Sequence, residues 1–289
     1  MKKILFLVKK TQYLHEPLFT EAAKKLGVEL VIKKLDELLI KYSQQNHELY
    51  IGEHNILDFD IVFFRTVGPY IEEEALISEF CLSHSIPVID SVFCHNRPWI
   101  DRKSFEYQRL RQNNIPIIDS YFVSKKSFEM IKEKITYPVI AKVTDGSKGE
   151  GVYKCHSLDE LLDVFESENQ SLIIQKFVDN EGDIRVFVIG NTIQGAIKRY
   201  RQDESEFRNN VSLGGSAEIY NLSDEEKNLT LAAAQSMQYE IAGVDLIKDM
   251  NGKLMVMEVN RAPQFNGFMQ ATGIDIPLKI IEYLISRCR

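Results

Sequence analysis

One stretch constrains the fold of this chain more than any other: Met255-Val256-Met257-Glu258-Val259-Asn260-Arg261-Ala262-Pro263. Its apolar start reads as a strand, yet it carries a carboxylate and, two residues later, a carboxamide. Residues i and i+2 of a strand face the same side, so Glu258 and Asn260 stand together. Burying both without a partner would cost several kcal/mol. Thirteen residues before Glu258, the apolar run 241–247 carries a single acid, Asp245. Antiparallel pairing of the two runs would bring Asp245 to the same spot. Three oxygen donors without His or Cys suit Mg²⁺ rather than Zn²⁺, and Mg²⁺ so held leaves room for waters and substrate phosphates. Taken alone, Asp245 fits a solvated strand end equally well.

The 289 residues allow two or three compact units. With 44% hydrophobic and 27% charged residues, the composition is that of a soluble globular protein. A net charge of -7 argues against a nucleic-acid partner, which would call for a basic face. No apolar run approaches the roughly 18 residues of a membrane span. The N-terminal apolar stretch, residues 4–8, is too short for a secretion signal and is followed by Lys9 and Lys10. It reads as a first strand. Cys81, Cys94, Cys155 and Cys288 are scattered without a CxxC pair, so reduced thiols and a cytoplasmic location are expected.

Residues 1–95 alternate strand signals (4–8, 28–32, 61–64, 86–89) with helix signals (17–26, 72–83). That alternation predicts an α/β unit with a parallel sheet. No Gly-x-Gly-x-x-Gly follows the first strand, so a dinucleotide fold is unsupported. From residue 96 the pattern changes: a helix over 101–112 containing Lys103, a strand over 117–123, a helix over 124–134, and a strand over 138–143 containing Lys142. A glycine-rich segment, 145–151, precedes a strand at 152–155. Ser157 to Glu160 is a capping box opening a helix, and 172–178 is a strand. The last third is strand-rich and α+β in character. Strands 183–189 and 192–200 flank a Gly190-Asn191 turn, 201–209 is a polar loop, and Ser223 to Glu226 caps a helix to about Tyr239. The two opening strands follow, then a helix from Asp275.

The glycine segment is not a P-loop, since it lacks GK[ST] and a following helix. Its backbone amides suit phosphates, but taken alone it is more often a plain hairpin turn. Lys142 in an apolar strand either snorkels at an edge or faces an anion. Residues 175–178 fit a connection between lobes. Asp183 and Arg185 share a strand face, where a simple ion pair is the alternative to a role in binding. Lys198, Arg199 and Arg201 lie at the end of one strand, Arg208 lies in the polar loop and Asn210 follows it. Such a basic rim suits transferring phosphate or solvent.

The order of these parts resembles the ATP-grasp superfamily and, within it, the RimK-type carboxylate–amine ligases. The similarity covers about residues 96–289. It implies an ATP-grasp fold with an N-terminal parallel α/β domain at 1–95, an N-lobe at 96–178 and a C-lobe at 179–289. It implies that Lys103 and Lys142 contact ATP phosphates, and that Ser147, Gly149 and Gly151 form a flap over them. Gln175, Lys176, Phe177 and Val178 would bind adenine, and Asp183 the ribose side. Arg199 would act at the transferred phosphoryl group with Lys142 and Asn210. Asp245, Glu258 and Asn260 would hold two Mg²⁺, with Glu258 bridging them and Mn²⁺ able to substitute. Arg185, Arg208 and the 201–209 loop would face the substrate, an amino acid or a peptide or protein tail. The resemblance implies an acylphosphate mechanism releasing ADP and phosphate, and homo-oligomers are common in the family. Val143 stands where the family usually has proline, and Lys176 where an acid is common. The alternatives are a kinase on the same fold and a non-catalytic ATP-binding module.

Overall fold

A computed structural model describes residues 1–9, 15–44, 46–95, 102–144, 151–201 and 216–289. The chain opens with β1 (Lys3–Val8), buried from Ile4 to Val8. Helix α1 (Glu16–Leu26) has Pro17 in its first turn and ends at Gly27 in the left-handed conformation. Strand β2 (Glu29–Lys34) returns parallel to β1. Next come β3 (Leu38–Tyr42), β4 (His47–Ile51) and β5 (His54–Asn55), a small antiparallel sheet that the sequence did not suggest. Its strands are short and half exposed, so charges break their apolar alternation. Strand β6 (Ile61–Phe64), helix α2 (Ile71–Ser83) and strand β7 (Val88–Ile89) complete the unit. The main sheet has the order β2-β1-β6-β7 and is parallel throughout, as the alternation predicts.

The middle of the chain begins with α3 (Lys103–Gln112) and β8 (Ser120–Val123). The helix expected over 124–134 is shorter. Helix α4 (Lys125–Phe128) makes one turn, and a separate 3₁₀ turn covers Lys132–Lys134. The segment lacks an apolar stripe to bury: Phe128 is buried while Met130 is 78% exposed. Then follow β9 (Val139–Val143), β10 (Val152–Cys155), α5 (Leu158–Glu168) and β11 (Leu172–Lys176). They form an antiparallel sheet of order β10-β9-β11-β8 with β8. Val139, Ala141, Val143, Leu172 and Ile174 face a local core with α5. Period-2 alternation turns Lys142 and Gln175 to the other face.

The last sheet is antiparallel, of order β14-β13-β12-β15-β16. It contains β12 (Asp183–Ile189), β13 (Thr192–Tyr200), β14 (Ser216–Ile219), β15 (Ile241–Lys248) and β16 (Leu254–Asn260). Helix α6 (Asp224–Met237) starts at the capping box, with Ser223 and Glu226 bonding each other's backbone amides. Two more helices, α7 (Asn266–Thr272) and α8 (Ile276–Arg287), end the fold. The sequence did not suggest β14 or α7, each too short for a clear period. Both faces of β12 are buried. Val186 and Val188 share a cluster with Leu5 and Val62, and Phe187 and Ile189 share another with Phe6 and Phe63. The core therefore runs without a break from the parallel sheet into the five-stranded one. All four cysteines are free thiols. No helix among the described residues is long and apolar enough to cross a membrane.

Candidate active site

Strand β9 presents Lys142. Its Nζ donates to Oε1 of Gln175 at 2.8 Å and to the Tyr107 hydroxyl at 3.3 Å. Nε2 of Gln175 donates in turn to Tyr107 (3.1 Å) and to Oγ of Ser120 (3.1 Å). The Gln175 side chain thus holds a lysine. Burial pushes the Lys142 ammonium down to about 8; Lys103 adds to the shift and Glu258 opposes it.

Strand β11 ends at Lys176 and β12 starts at Asp183, so the connection between sheets is 177–182, and Gln175 and Lys176, expected in it, lie in the strand. The Lys176 amide donates to the Asp119 carbonyl at 3.0 Å, and that of Phe177 to the Pro138 carbonyl at 3.4 Å. The Lys176 side chain is exposed, and the Lys154 ammonium lies 3.8 Å from the centre of the Phe177 ring. Val178 packs in a small apolar cluster with Ile118, Ile247, Met255 and Met257 between the sheets.

Across the cleft, the antiparallel register sets Asp183 opposite Arg199, Arg185 opposite Asp245, and Asp245 opposite Glu258. The last alignment is the one inferred from spacing. A bulge follows it, because Leu246 pairs with Val256 and leaves Met257 unopposed. Asp183 and Arg185 do not pair with each other. Directly opposed residues lie closer than i, i+2 neighbours, and each takes its cross-strand partner. Arg199 Nε donates to Oδ2 of Asp183 at 3.1 Å, and its Nη2 bonds Asp183 and lies 3.1 Å from Oδ2 of Asp245. Arg185 grips Asp245 through both Nε and Nη2, the latter at 2.6 Å from Oδ2. Burial works against the Arg199 charge, but the two aspartates hold its pKa above the usual arginine range. Asp183 keeps Oδ1 buried without a partner among the described residues.

Glu258 faces a different cation. Lys103, in the first turn of α3, places Nζ 2.7 Å from Oε1 of Glu258. Burial opposes ionisation of Glu258, but Lys103, Lys142 and Arg185 outweigh it and hold the carboxyl down to about 2. The Glu258 side chain stays 32% exposed, whereas that of Asp245 is 2% exposed. Helix α3 supplies two residues to which the sequence reading gave no role. Tyr107 contacts Lys142 and Gln175, and Oε1 of Glu106 accepts the Val259 amide at 2.6 Å. Burial and repulsion from Glu258 push Glu106 up to about 8. The signal was spacing: positions 103, 106 and 107 share one helix face.

Ser147, Gly149, Arg208 and Asn210 lie outside the described residues. Gly151 is described and has φ +66°; a Cβ there would lie 2.2 Å from Cγ2 of Val143. Gly243, opposite Asn260, leaves space that a Cβ would fill at 2.7 Å from Pro263.

The donor set fits a hard cation at Glu258 and Asn260. Glu258 is ionised and open on one side. Asn260, on the same strand, keeps its Nδ2 donor buried without a partner among the described residues; that donor suits an acceptor oxygen, while a cation would take the carboxamide Oδ1. Asp245 fits less directly, since two guanidinium groups already hold its oxygens. No cluster of three His, Cys, Asp or Glu with metal-binding geometry occurs among the described residues.

Two antiparallel sheets, joined by one connection and facing each other with lysines on one side and an acid–amide pair on the other, define an ATP-grasp fold. Comparison with known proteins makes the class specific. The RimK-like ATP-grasp domain family matches residues 103–284. A probable alpha-L-glutamate ligase of Haemophilus influenzae (strain 86-028NP) is 30% identical over 98% of this chain and 97% of its own length. A probable alpha-L-glutamate ligase of Nitrosococcus oceani is 28% identical over 91% of this chain and 89% of its own. Among solved structures, the ATP-grasp ligase PsnB complexed with a minimal precursor superposes with a TM-score of 0.77 at 19% identity, covering 99% of both chains. D-cycloserine synthetase DcsG gives 0.70 at 17% identity, covering 99% of this chain and 100% of the other. These two likenesses concern the fold. The chain belongs to the RimK-like ATP-grasp family and is an ATP-dependent ligase that joins a carboxylate to an amine.

Proposed function

We propose that the protein condenses the carboxylate of an amino acid or peptide with an amine, and that L-glutamate is one of the two partners. The observation that carries this reading is the meeting of Lys103, Lys142 and Glu258, from three separate elements, at one cleft. The names of the glutamate ligase relatives support the choice of glutamate.

In this reading Lys142 and Lys103 bind the phosphates of ATP. The Lys176 carbonyl and Val178 amide read the adenine edge, and Val178 and Met257 pack on its faces. Asp183 acts through Arg199 rather than on the ribose directly, since the two are paired and buried. Glu258 and Asn260 would hold Mg²⁺, with Asp245 joining them if Arg185 turned toward substrate, and a second ion would share Glu258. The metal supplies charge neutralisation at the transferring phosphoryl group. The substrate carboxylate oxygen attacks the γ-phosphorus and the bond to ADP breaks, with Lys142 and Arg199 balancing the charge. The amine nitrogen then attacks the acyl carbon, phosphate leaves, and the amine loses a proton. Residues 1–95, 96–178 and 179–289 form the three functional units, although the first and last share a core.

The test is ADP release with Mg·ATP, L-glutamate and a peptide pool, followed by mass spectrometry for the amide. Hydroxylamine in place of the amine separates the classes. A ligase yields a hydroxamate, whereas a kinase yields a phosphorylated hydroxyl compound and no hydroxamate.

A further inference from the structure

We infer that Glu106 is a positioning residue for the Glu258–Asn260 pair, acting through the main-chain amide of Val259. The inference rests on the assignment of that pair to Mg²⁺. Val259 lies between the two, and its N–H is held 2.6 Å from Oε1 of Glu106. Strand β16 is the edge of its sheet, so one side of its backbone has no neighbouring strand. Farther back on that edge, the Val256 amide donates to the Pro116 carbonyl at 2.8 Å. At the site end, the acceptor is a side chain from α3.

A backbone amide fixes a peptide plane. The plane between Glu258 and Val259 sets where the Glu258 side chain points, and through the next residue where Asn260 points. Because i and i+2 share a face, a twist at Val259 moves both ligands together. The same helix holds the Glu258 side chain through Lys103. One turn of α3 therefore grips the segment twice, once by side chain and once by main chain. Glu106 is 6% exposed, on a helix face shared with buried Tyr107 and Leu110. An apolar residue there would serve packing alone at lower desolvation cost. Outer partners of metal ligands are worth about 10–100-fold in metal affinity when lost.

The experiment measures Mn²⁺ binding by electron paramagnetic resonance, with ADP present, for the full chain and for Glu106→Leu, Glu106→Asp, Glu106→Gln and Glu258→Gln. Melting temperatures confirm folding. Glu106→Leu should weaken Mn²⁺ binding about tenfold or more and raise the half-saturating Mg²⁺ concentration in turnover equally, with the KM for ATP at saturating Mg²⁺ nearly unchanged. Glu106→Gln keeps the acceptor oxygen and should restore most of the affinity. If Glu106→Leu fails to fold, Glu106→Asp, one methylene too short to reach Val259, carries the same expectation. Wild-type Mn²⁺ affinity in Leu or Asp variants that fold overturns the inference, as does a Gln variant no better than they are. Loss of Mn²⁺ in Glu258→Gln alone leaves the metal assignment standing without Glu106. Unchanged Mn²⁺ in Glu258→Gln overturns the metal assignment and the inference together.

Discussion

Lys103 and Glu258, 155 residues apart in sequence, hold each other at 2.7 Å. One is assigned to the phosphates and the other to the metal, so each occupies the group that the other must offer. Phosphate arriving at Lys103 frees Glu258, and a cation arriving at Glu258 frees Lys103. Binding of nucleotide and metal is then coupled, and thermodynamics requires the coupling to be reciprocal. ATP should tighten Mn²⁺ binding by about 5–150-fold, the range of a coupling of roughly 1–3 kcal/mol. In Lys103→Met, Mn²⁺ should bind more tightly without nucleotide while ATP binds more weakly. Calorimetric titrations of each ligand with and without the other would show this. Independent binding would remove the exchange.

The ammonium of Lys142 titrates unusually low. Burial is the main cause, and the free enzyme should lose this charge as pH rises through about 8. Bound phosphate favours the charged form, so the loss should be visible in kcat/KM for ATP, which reports the free enzyme, and smaller in kcat. A profile of kcat/KM should fall on the alkaline side of about 8 and stay level below it to neutrality. In Tyr107→Phe, which removes a hydroxyl from the ammonium, the midpoint should move. A flat profile to pH 10 would show that Lys142 keeps its proton.

Arg199 holds two buried acids. Arg199→Leu leaves Asp183 and Asp245 without it, and removing one partner of a buried ion pair costs about 3–5 kcal/mol. Urea unfolding should register a loss of that size. Adding Asp183→Leu to the same chain should recover part of it, because the uncompensated charge goes too. A loss below about 1 kcal/mol in the single variant would mean that water reaches the pair, as for surface ion pairs.

Gly151 sits in a left-handed turn against Val143. Gly151→Ala adds both backbone strain of about 1–2 kcal/mol and a clash of about 1–3 kcal/mol. The double variant Gly151→Ala/Val143→Ala should regain the second part and not the first. Thermal unfolding of the three proteins separates the two costs.

Much of this site was legible because its residues break a pattern. Glu258, Asn260, Asp245 and Lys142 are polar positions in apolar strands, and the facing of Asp245 and Glu258 follows from the spacing of two runs. The partners were less legible. Asp183 and Arg185 share a face in any strand, but which residue opposes each depends on the register of neighbouring strands, which local sequence does not set. Glu106 and Tyr107 look like ordinary helix residues until α3 is packed between both sheets. The sheet of β3, β4 and β5 was missed because half-exposed strands carry weak alternation. The connection expected at 175–178 begins two residues later, because Gln175 and Lys176 still belong to β11 and the Gln175 side chain turns inward to Lys142.

Oxygen transfer tests the central chemistry most directly. A peptide substrate, found by amide formation, and L-glutamate are both prepared with ¹⁸O in their carboxylates and turned over with Mg·ATP. If the carboxylate attacks the γ-phosphorus, each amide formed should be matched by one phosphate carrying a single ¹⁸O from that carboxylate. Unlabelled phosphate, or release of AMP in place of ADP, would contradict an acylphosphate route at the cleft between Lys142 and Glu258.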